Sequence, residues 1–147
     1  MILLKNYIDE QVDLGIEDEF VVLGDYNDHL EDPLPLPNVF TNILNDTDNY
    51  TFLTLPIAGV EYSYISDIYP TSLLDHILIT NEALEEYGDG ETHVLYLDNE
   101  NSNYEYNVSD HRPVFAQFTF TGADTTPTFL PQSMNYMRIL LNTKIPL

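Results

Sequence analysis

The sequence predicts a mixed α+β domain built from short strands and short helices. Two observations support this class. Apolar residues in the first dozen positions recur at helical spacing, whereas several later runs are short, rich in Val, Ile, Thr and Tyr, and bounded by Gly or Pro. With 147 residues and 44% hydrophobic side chains, the chain is long and apolar enough to form one core.

The first two elements are a helix and a buried strand. Apolar residues between Ile2 and Val12 predict an amphipathic helix that stops before Gly15. The β-favouring run at residues 20–23 ends abruptly at Gly24. We expect this strand to be buried on both faces and to deliver the next residue to an edge or a cleft.

The middle of the chain contains a loop, a short helix and a hairpin. Three prolines mark residues 31–38 as a loop, and residues 39–44 have room for only a short helix. Residues 51–55 and 60–65 are rich in Thr, Tyr, Val and Ile and are separated by Pro and Gly. They predict two strands in a hairpin-like arrangement.

The clearest strand covers residues 73–80. Alternation places Asp75 on one face and His76 on the other. Both faces are otherwise mostly apolar, so we expect both to be buried.

The remaining sequence predicts one or two helical turns at 81–87, a strand at 92–97, a polar loop at 98–107 and a last strand at 113–120. Beyond Gly122 the pattern stops. We therefore assign residues 1–121 to one domain and interpret residues 122–147 as a linker or the start of a further segment.

The charge of the chain restricts its partners. Asp and Glu number 25 against 4 Lys and Arg, which gives a formal net charge of -21. No basic patch can therefore bind a phosphate backbone by counterion release. An anionic substrate would need a bound cation, while the simplest interpretation of the acidity is a solvated surface.

Other features of the composition leave the compartment open. The chain has no cysteine, which excludes disulfides and thiolate metal sites. No signal peptide and no stretch long enough to cross a membrane are recognisable, so we expect a soluble protein. Secretion or a periplasmic location would require an upstream signal peptide.

Asp25 and Asn27 are the first candidates for chemistry. They lie two residues apart just after a strand, where a carboxylate and an amide can address one small ligand. The carboxylate can position or deprotonate water, and the amide can donate a hydrogen bond to an oxygen on which charge develops. The alternative is an ordinary turn, because Gly, Asp and Asn favour turns.

Asp75 and His111 form the second candidate. A carboxylate within a buried strand needs a partner, and a histidine held by a carboxylate is oriented for acid–base chemistry. Asp110 would then face a cation. Of the other histidines, we expect His76 to be satisfied in the core, and His29 and His93 to be exposed without a chemical role.

Three strings that contain these residues resemble the active-site motifs of one superfamily. They are Gly-Asp-Tyr-Asn from Gly24, Leu-Asp-His-Ile from Leu74 and Ser-Asp-His-Arg-Pro from Ser109. The chain resembles the endonuclease/exonuclease/phosphatase superfamily of deoxyribonuclease I-like, metal-dependent phosphoesterases. The resemblance covers about residues 20–120 and implies the C-terminal half of a four-layer α/β/β/α sandwich, mainly one mixed or antiparallel sheet with flanking short helices.

The resemblance also implies a mechanism. Asp25 and Asn27 would act at the phosphorus, Asp75 would orient His111, and Asp110 with Asp25 would hold a divalent metal. The implied cofactor is Mg²⁺, with Mn²⁺ or Ca²⁺ as alternatives. The reaction would be in-line attack of water on a small-molecule, lipid-headgroup or nucleic-acid phosphoester.

The family's N-terminal half supplies a metal-binding glutamate, an asparagine and usually a second histidine, none of which can be placed ahead of Gly24. We therefore expect the 147 residues to be a fragment, a truncated gene product or one part of a split enzyme, with the missing half as a partner and little activity alone. The alternatives are a non-catalytic acidic binding or structural module built on the same fold, and a partly folded half-domain.

Overall fold

A computed structural model describes residues 1–31 and 38–119 and the backbone of a strand at Tyr136–Leu140. These residues form helices and two small antiparallel sheets, which confirms the mixed α+β class. Most of the loop predicted at 31–38 lies outside the described residues. Within the described part of the chain, no helix is long and apolar enough to cross a membrane.

The chain begins with helix α1, Ile2–Asp13, as its apolar spacing predicts. Ile8 is buried beneath the helix, and Leu4 and Val12 pack beside it. The helix ends where Gly15 adopts a φ of 63°, a left-handed conformation that glycine accepts without steric cost.

The first sheet contains strands β1 (Val21–Asp25), β2 (Tyr50–Phe52) and β3 (Asp75–Thr80). The strands are antiparallel and lie in the order β1-β3-β2. Every residue of central β3 is buried, as the apolar alternation predicts. The expectation that β1 is buried on both faces is wrong: this strand lies at the sheet edge, and its first four residues are half-buried.

The predicted hairpin of residues 51–55 and 60–65 does not form. Strand β2 pairs with β3, and the chain then enters a 3₁₀ turn at Leu55–Ile57 that contains Pro56. Gly59, with a φ of 72°, continues the change of direction. Because proline offers no N–H to a ladder and its φ suits a helical turn, the strand cannot extend through this point.

The short helix that the sequence predicts before β2 forms as α2, Thr41–Leu44. Four further elements follow β3 along the chain. They are α3 (Leu84–Tyr87), β4 (Thr92–Val94), α4 (Tyr104–Asn107) and β5 (Val114–Thr119). The helical turns after β3 and the strand β5 are therefore confirmed, whereas the strand predicted at 92–97 is shorter and ends at Val94. The polar loop predicted at 98–107 is corrected, because it includes α4 and the end of a 3₁₀ turn at Leu97–Asn99.

The second sheet has the strand order β4-β5-β6, where β6 is Tyr136–Leu140. Its strands are antiparallel, and β6 lies within the segment that we interpreted as a linker or the start of a further segment. The remainder of residues 122–147 lies outside the described residues. The strands are thus antiparallel, one of the two predicted arrangements, but they are divided between two sheets rather than gathered mainly in one.

Two apolar clusters pack against opposite faces of β3. One joins β3 to the second sheet and contains Ile77, Ile79, Val114, Ala116 and Phe118. The other joins β3 to α1 and α2 through Leu78, Ile8, Phe40, Ile43 and Phe52. Strand β3 is therefore held rigidly from both sides, and its first residue, Asp75, is fixed in position. The complete four-layer sandwich remains a prediction.

Candidate functional site

The three motifs of the sequence meet at one end of the first sheet. Asp25 ends β1 directly opposite Asp75, which begins β3. His111 reaches the same place through an isolated antiparallel bridge to Tyr64. One side-chain atom from each of Asp25, Asp75 and His111 lies within 4.8 Å of the others.

Asp75 and His111 make the contact that the sequence predicts. His111 Nδ1 lies 2.6 Å from Asp75 Oδ2, and the side chain of Asp75 is only 1% exposed. An ionised carboxylate can only accept, so Nδ1 carries the proton of this bond. His111 Nε2 is therefore the ring nitrogen that can serve a ligand.

Ser63 holds the backbone of Asp75 in place. Its hydroxyl oxygen accepts from the backbone N–H groups of Leu74 and Asp75, at 3.0 and 3.2 Å, and Ser63 is fully buried. Sequence reasoning missed this residue, because a serine in a β-favouring run gives no sign of the strand it will contact.

The surroundings of His111 raise its pKa. The hydrogen bond to Asp75 is the largest cause, burial of the ring opposes it, and the charges of Asp75, Asp25 and Asp110 add to the increase. The imidazolium form is therefore stabilised in the folded protein.

In the metal-free protein, we expect the ring protons of His111 to titrate above the value of about 6.5 found for an unstructured histidine. Because the folded pKa is the higher one, the stability contributed by this pair is fully present below the unfolded pKa and is lost as pH rises through the folded pKa. NMR titration of the His111 ring measures the midpoint. A midpoint at or below 6.5 would contradict this account.

The chain after β1 forms a compact turn. Asp25 Oδ1 accepts from the backbone N–H of Asn27 at 2.8 Å, and the N–H of Tyr26 donates to the carbonyl of Leu74 at 2.9 Å. Asn27 has a φ of 52°, a left-handed conformation that asparagine adopts more readily than most residues. The turn interpretation is thus correct, and it does not exclude a role in chemistry, since Asn27 is exposed at a cavity.

A cavity of about 410 Å³ opens beside His111. Asn27, Asp110 and His111 line it, together with Tyr64 and Tyr69. Tyr64 also packs against His111, with 5.1 Å between the ring centroids. The predicted metal ligand Asp110 is therefore exposed at the cavity but lies outside the cluster that His111 makes with the two other aspartates.

Arg112, next to His111, serves the loop rather than the cavity. Its guanidinium donates to both carboxylate oxygens of Asp98 at 2.8 Å and to the carbonyl of Tyr62 at 3.0 Å, and it stacks on Tyr96. The guanidinium holds the pKa of Asp98 below its usual range. A bidentate pair of this kind fixes the loop that carries His111.

The other three histidines differ in burial and in their hydrogen bonds. His76 is buried and hydrogen-bonded at both ring nitrogens, as predicted. His93 is exposed, as predicted, and its Nδ1 lies 3.0 Å from Glu61. His29 is half-buried rather than exposed and lies at the cavity wall.

The donor atoms at the site suit a hard divalent cation. Asp25 and Asp110 are exposed and offer carboxylate oxygens, the ligands that Mg²⁺ prefers, whereas Asp75 is already engaged by His111. Among the described residues the protein ligands at this place are few, so most of the coordination shell of such an ion would come from water or substrate.

No protein-family model, no curated protein and no solved structure matches this chain. The likeness to the endonuclease/exonuclease/phosphatase superfamily therefore rests on the three motifs alone.

Proposed function

We propose that this site belongs to a metal-dependent phosphoester hydrolase of the endonuclease/exonuclease/phosphatase type, in which water attacks the phosphorus in line. One observation supports it most strongly. A buried carboxylate holds the ring of His111 at 2.6 Å, next to the exposed Asp25, on the wall of an open cavity. This arrangement supports acid–base chemistry on a ligand bound in the cavity.

Each side chain would have a separate task. With its Nδ1 proton held by Asp75, His111 would exchange a proton at Nε2 with water or with an oxygen of the substrate. Asp25 could instead accept the proton of the attacking water, and the geometry is compatible with either residue as the base. Asn27 would donate from its side-chain amide to a phosphoryl oxygen.

The proposed cofactor is Mg²⁺, with Mn²⁺ or Ca²⁺ as alternatives, held by Asp25 and Asp110. When bound, it would supply positive charge that neutralises the phosphoryl oxygens. Because the described residues place only these two exposed carboxylates beside His111, we expect weak metal affinity and slow turnover from this chain alone.

The walls of the cavity favour small phosphoesters over long nucleic acids. Among its described lining residues there is no lysine or arginine, and the nearby Arg112 is engaged by Asp98. Without cationic side chains, affinity for a polyanionic backbone has no electrostatic source other than the metal. Lipid headgroups and nucleic acids remain alternative substrate classes.

A second candidate function is a non-catalytic acidic module that binds cations over its surface. The net charge of -21 favours it, because such a surface attracts divalent ions without a defined site. The two candidates differ in what a single carboxylate contributes to binding.

Calorimetric titration with Mg²⁺ separates the two functions. We expect one binding event that is lost in Asp110→Asn and kept in Asp48→Asn, a matched change at an exposed residue of the turn before β2 that does not line the cavity. Magnesium-dependent hydrolysis of bis(4-nitrophenyl) phosphate should follow the same pattern. Many weak sites that both variants leave intact, with no hydrolysis, would favour the acidic module.

A further inference from the structure

His76 occupies an unusual position next to Asp75 on β3. The two residues point to opposite faces of the strand, so the side chain of His76 enters the second apolar cluster and is 0% exposed. Its ring lies among Tyr26, Phe40 and Phe52, with centroid separations of 5.7, 5.8 and 6.1 Å. An apolar aromatic ring would satisfy the packing at this position equally well.

The hydrogen bonds of His76 determine its tautomer. Nε2 lies 3.0 Å from the backbone carbonyl of Asp28, and a carbonyl can only accept, so Nε2 carries a proton. Nδ1 lies 3.1 Å from the hydroxyl of Thr54, which donates to it when the ring is neutral. Burial lowers the pKa of His76, in agreement with a neutral ring that has one proton.

The Asp28 carbonyl belongs to the turn that forms one wall of the cavity. Asn27, Asp28 and His29 all line that cavity, and Asn27 is the residue with a φ of 52°. A left-handed backbone is uncommon for a residue other than glycine, so contacts that hold the neighbours of Asn27 in place favour this turn.

Two further hydrogen bonds hold this turn, one before Asp28 in the chain and one after it. The N–H of Tyr26 donates to the Leu74 carbonyl at 2.9 Å, and Asn38 Nδ2 donates to the Leu30 carbonyl at 2.8 Å. Between them, at Asp28, the side chain of His76 adds a hydrogen bond from the buried strand β3 to the turn.

We propose that His76 is a positioning residue: its Nε2–H holds the Asp28 carbonyl and thereby sets the turn that presents Asn27 to the cavity. The consequence for catalysis rests on the proposed function, whereas the consequence for the turn does not. Strand β3 then supports the site from both faces, through Asp75 to His111 and through His76 to Asn27.

The wild-type protein provides the first test. Long-range ¹H–¹⁵N spectra of the histidine rings should show the Nε2-protonated, neutral tautomer for His76 at pH 7. An Nδ1-protonated ring, or a charged one, would overturn the proposal. This measurement requires neither a variant nor catalytic activity.

Three variants test the effect on the turn. His76→Phe keeps a ring in the aromatic cluster but removes the donor, His76→Gln restores an N–H donor, and Phe52→Leu is a packing control in the same cluster. We expect the backbone amides of Asn27, Asp28 and His29 to shift and to exchange faster with solvent in His76→Phe, and to recover in His76→Gln. Unchanged amides in His76→Phe, or equal changes in Phe52→Leu, would overturn the proposal.

Kinetics distinguish this proposal from the proposed function. Where the wild type hydrolyses bis(4-nitrophenyl) phosphate, His76→Phe should lower kcat by roughly tenfold to a hundredfold with a smaller effect on KM, because Asn27 acts on developing charge. Absence of hydrolysis in the wild type would contradict the proposed function, yet the amide shifts would still decide the role of His76. If His76→Phe does not fold, the tautomer of the wild-type ring decides the role of His76: an Nε2-protonated ring supports it, and an Nδ1-protonated ring overturns it.

Discussion

Replacing Asp75 with asparagine is expected to lower magnesium-dependent phosphoester hydrolysis about 10²-fold or more. The carboxylate accepts the Nδ1 proton of His111 at 2.6 Å and raises the pKa of that ring. An asparagine can present its N–H₂ group to Nδ1 and thereby favour the opposite tautomer, in which Nε2 carries the proton and cannot accept one from water. The measurement is kcat at saturating substrate, with folding of the variant checked by circular dichroism.

Glu61→Gln provides the matched control for this substitution. Glu61 also contacts a histidine at 3.0 Å, but its partner His93 is exposed and does not line the cavity. We expect Glu61→Gln to leave kcat within a factor of about two, since the His93 ring is exposed and neither residue lines the cavity. Equal losses in the two variants would show that Asp75 has only a general structural role.

Replacing Phe40 with alanine is expected to lower the free energy of unfolding by about 3–5 kcal/mol. Phe40 is 1% exposed and makes edge contacts with Tyr26, Phe52 and His76, so its loss leaves a cavity that several rings cannot fill. A domain of this size has a total stability of about 5–15 kcal/mol, so the change is a large share. Urea unfolding followed by tyrosine fluorescence measures it.

Tyr106→Ala serves as the control for Phe40→Ala. Tyr106 is 88% exposed, and its removal should change the free energy of unfolding by less than about 0.5 kcal/mol. A change below about 1 kcal/mol in Phe40→Ala would mean that the cluster around His76 is not a packed core.

The central strand could be predicted because its alternation of apolar residues is a local pattern. The Asp75–His111 pair could be predicted because a buried carboxylate requires a hydrogen-bond donor. Alternating apolar residues fix both faces of β3, and its burial agrees with them. A carboxylate on such a strand must find a donor, which restricts the choice to a few residues. The tasks of Asp25, Asn27 and Asp110 remain predictions.

Other parts of the fold depend on contacts that the sequence does not specify. Residues 60–65 have β-favouring side chains, but β3 already pairs with β1 and β2, so no free edge of that strand remains for them. The third strand of the second sheet is β6, which lies in a stretch of weak periodicity. The pairing of Arg112 with Asp98 could not be predicted either, because each of the 4 cationic residues could pair with any of 25 acidic ones.

If His111, held by Asp75, performs acid–base chemistry on a phosphoester, hydrolysis must depend on its ring. The most direct measurement is hydrolysis of bis(4-nitrophenyl) phosphate with and without Mg²⁺ by the wild type, His111→Ala and His93→Ala. We expect slow, magnesium-dependent hydrolysis that His111→Ala abolishes and His93→Ala retains. Hydrolysis that survives in His111→Ala, or that is lost equally in both variants, would contradict it.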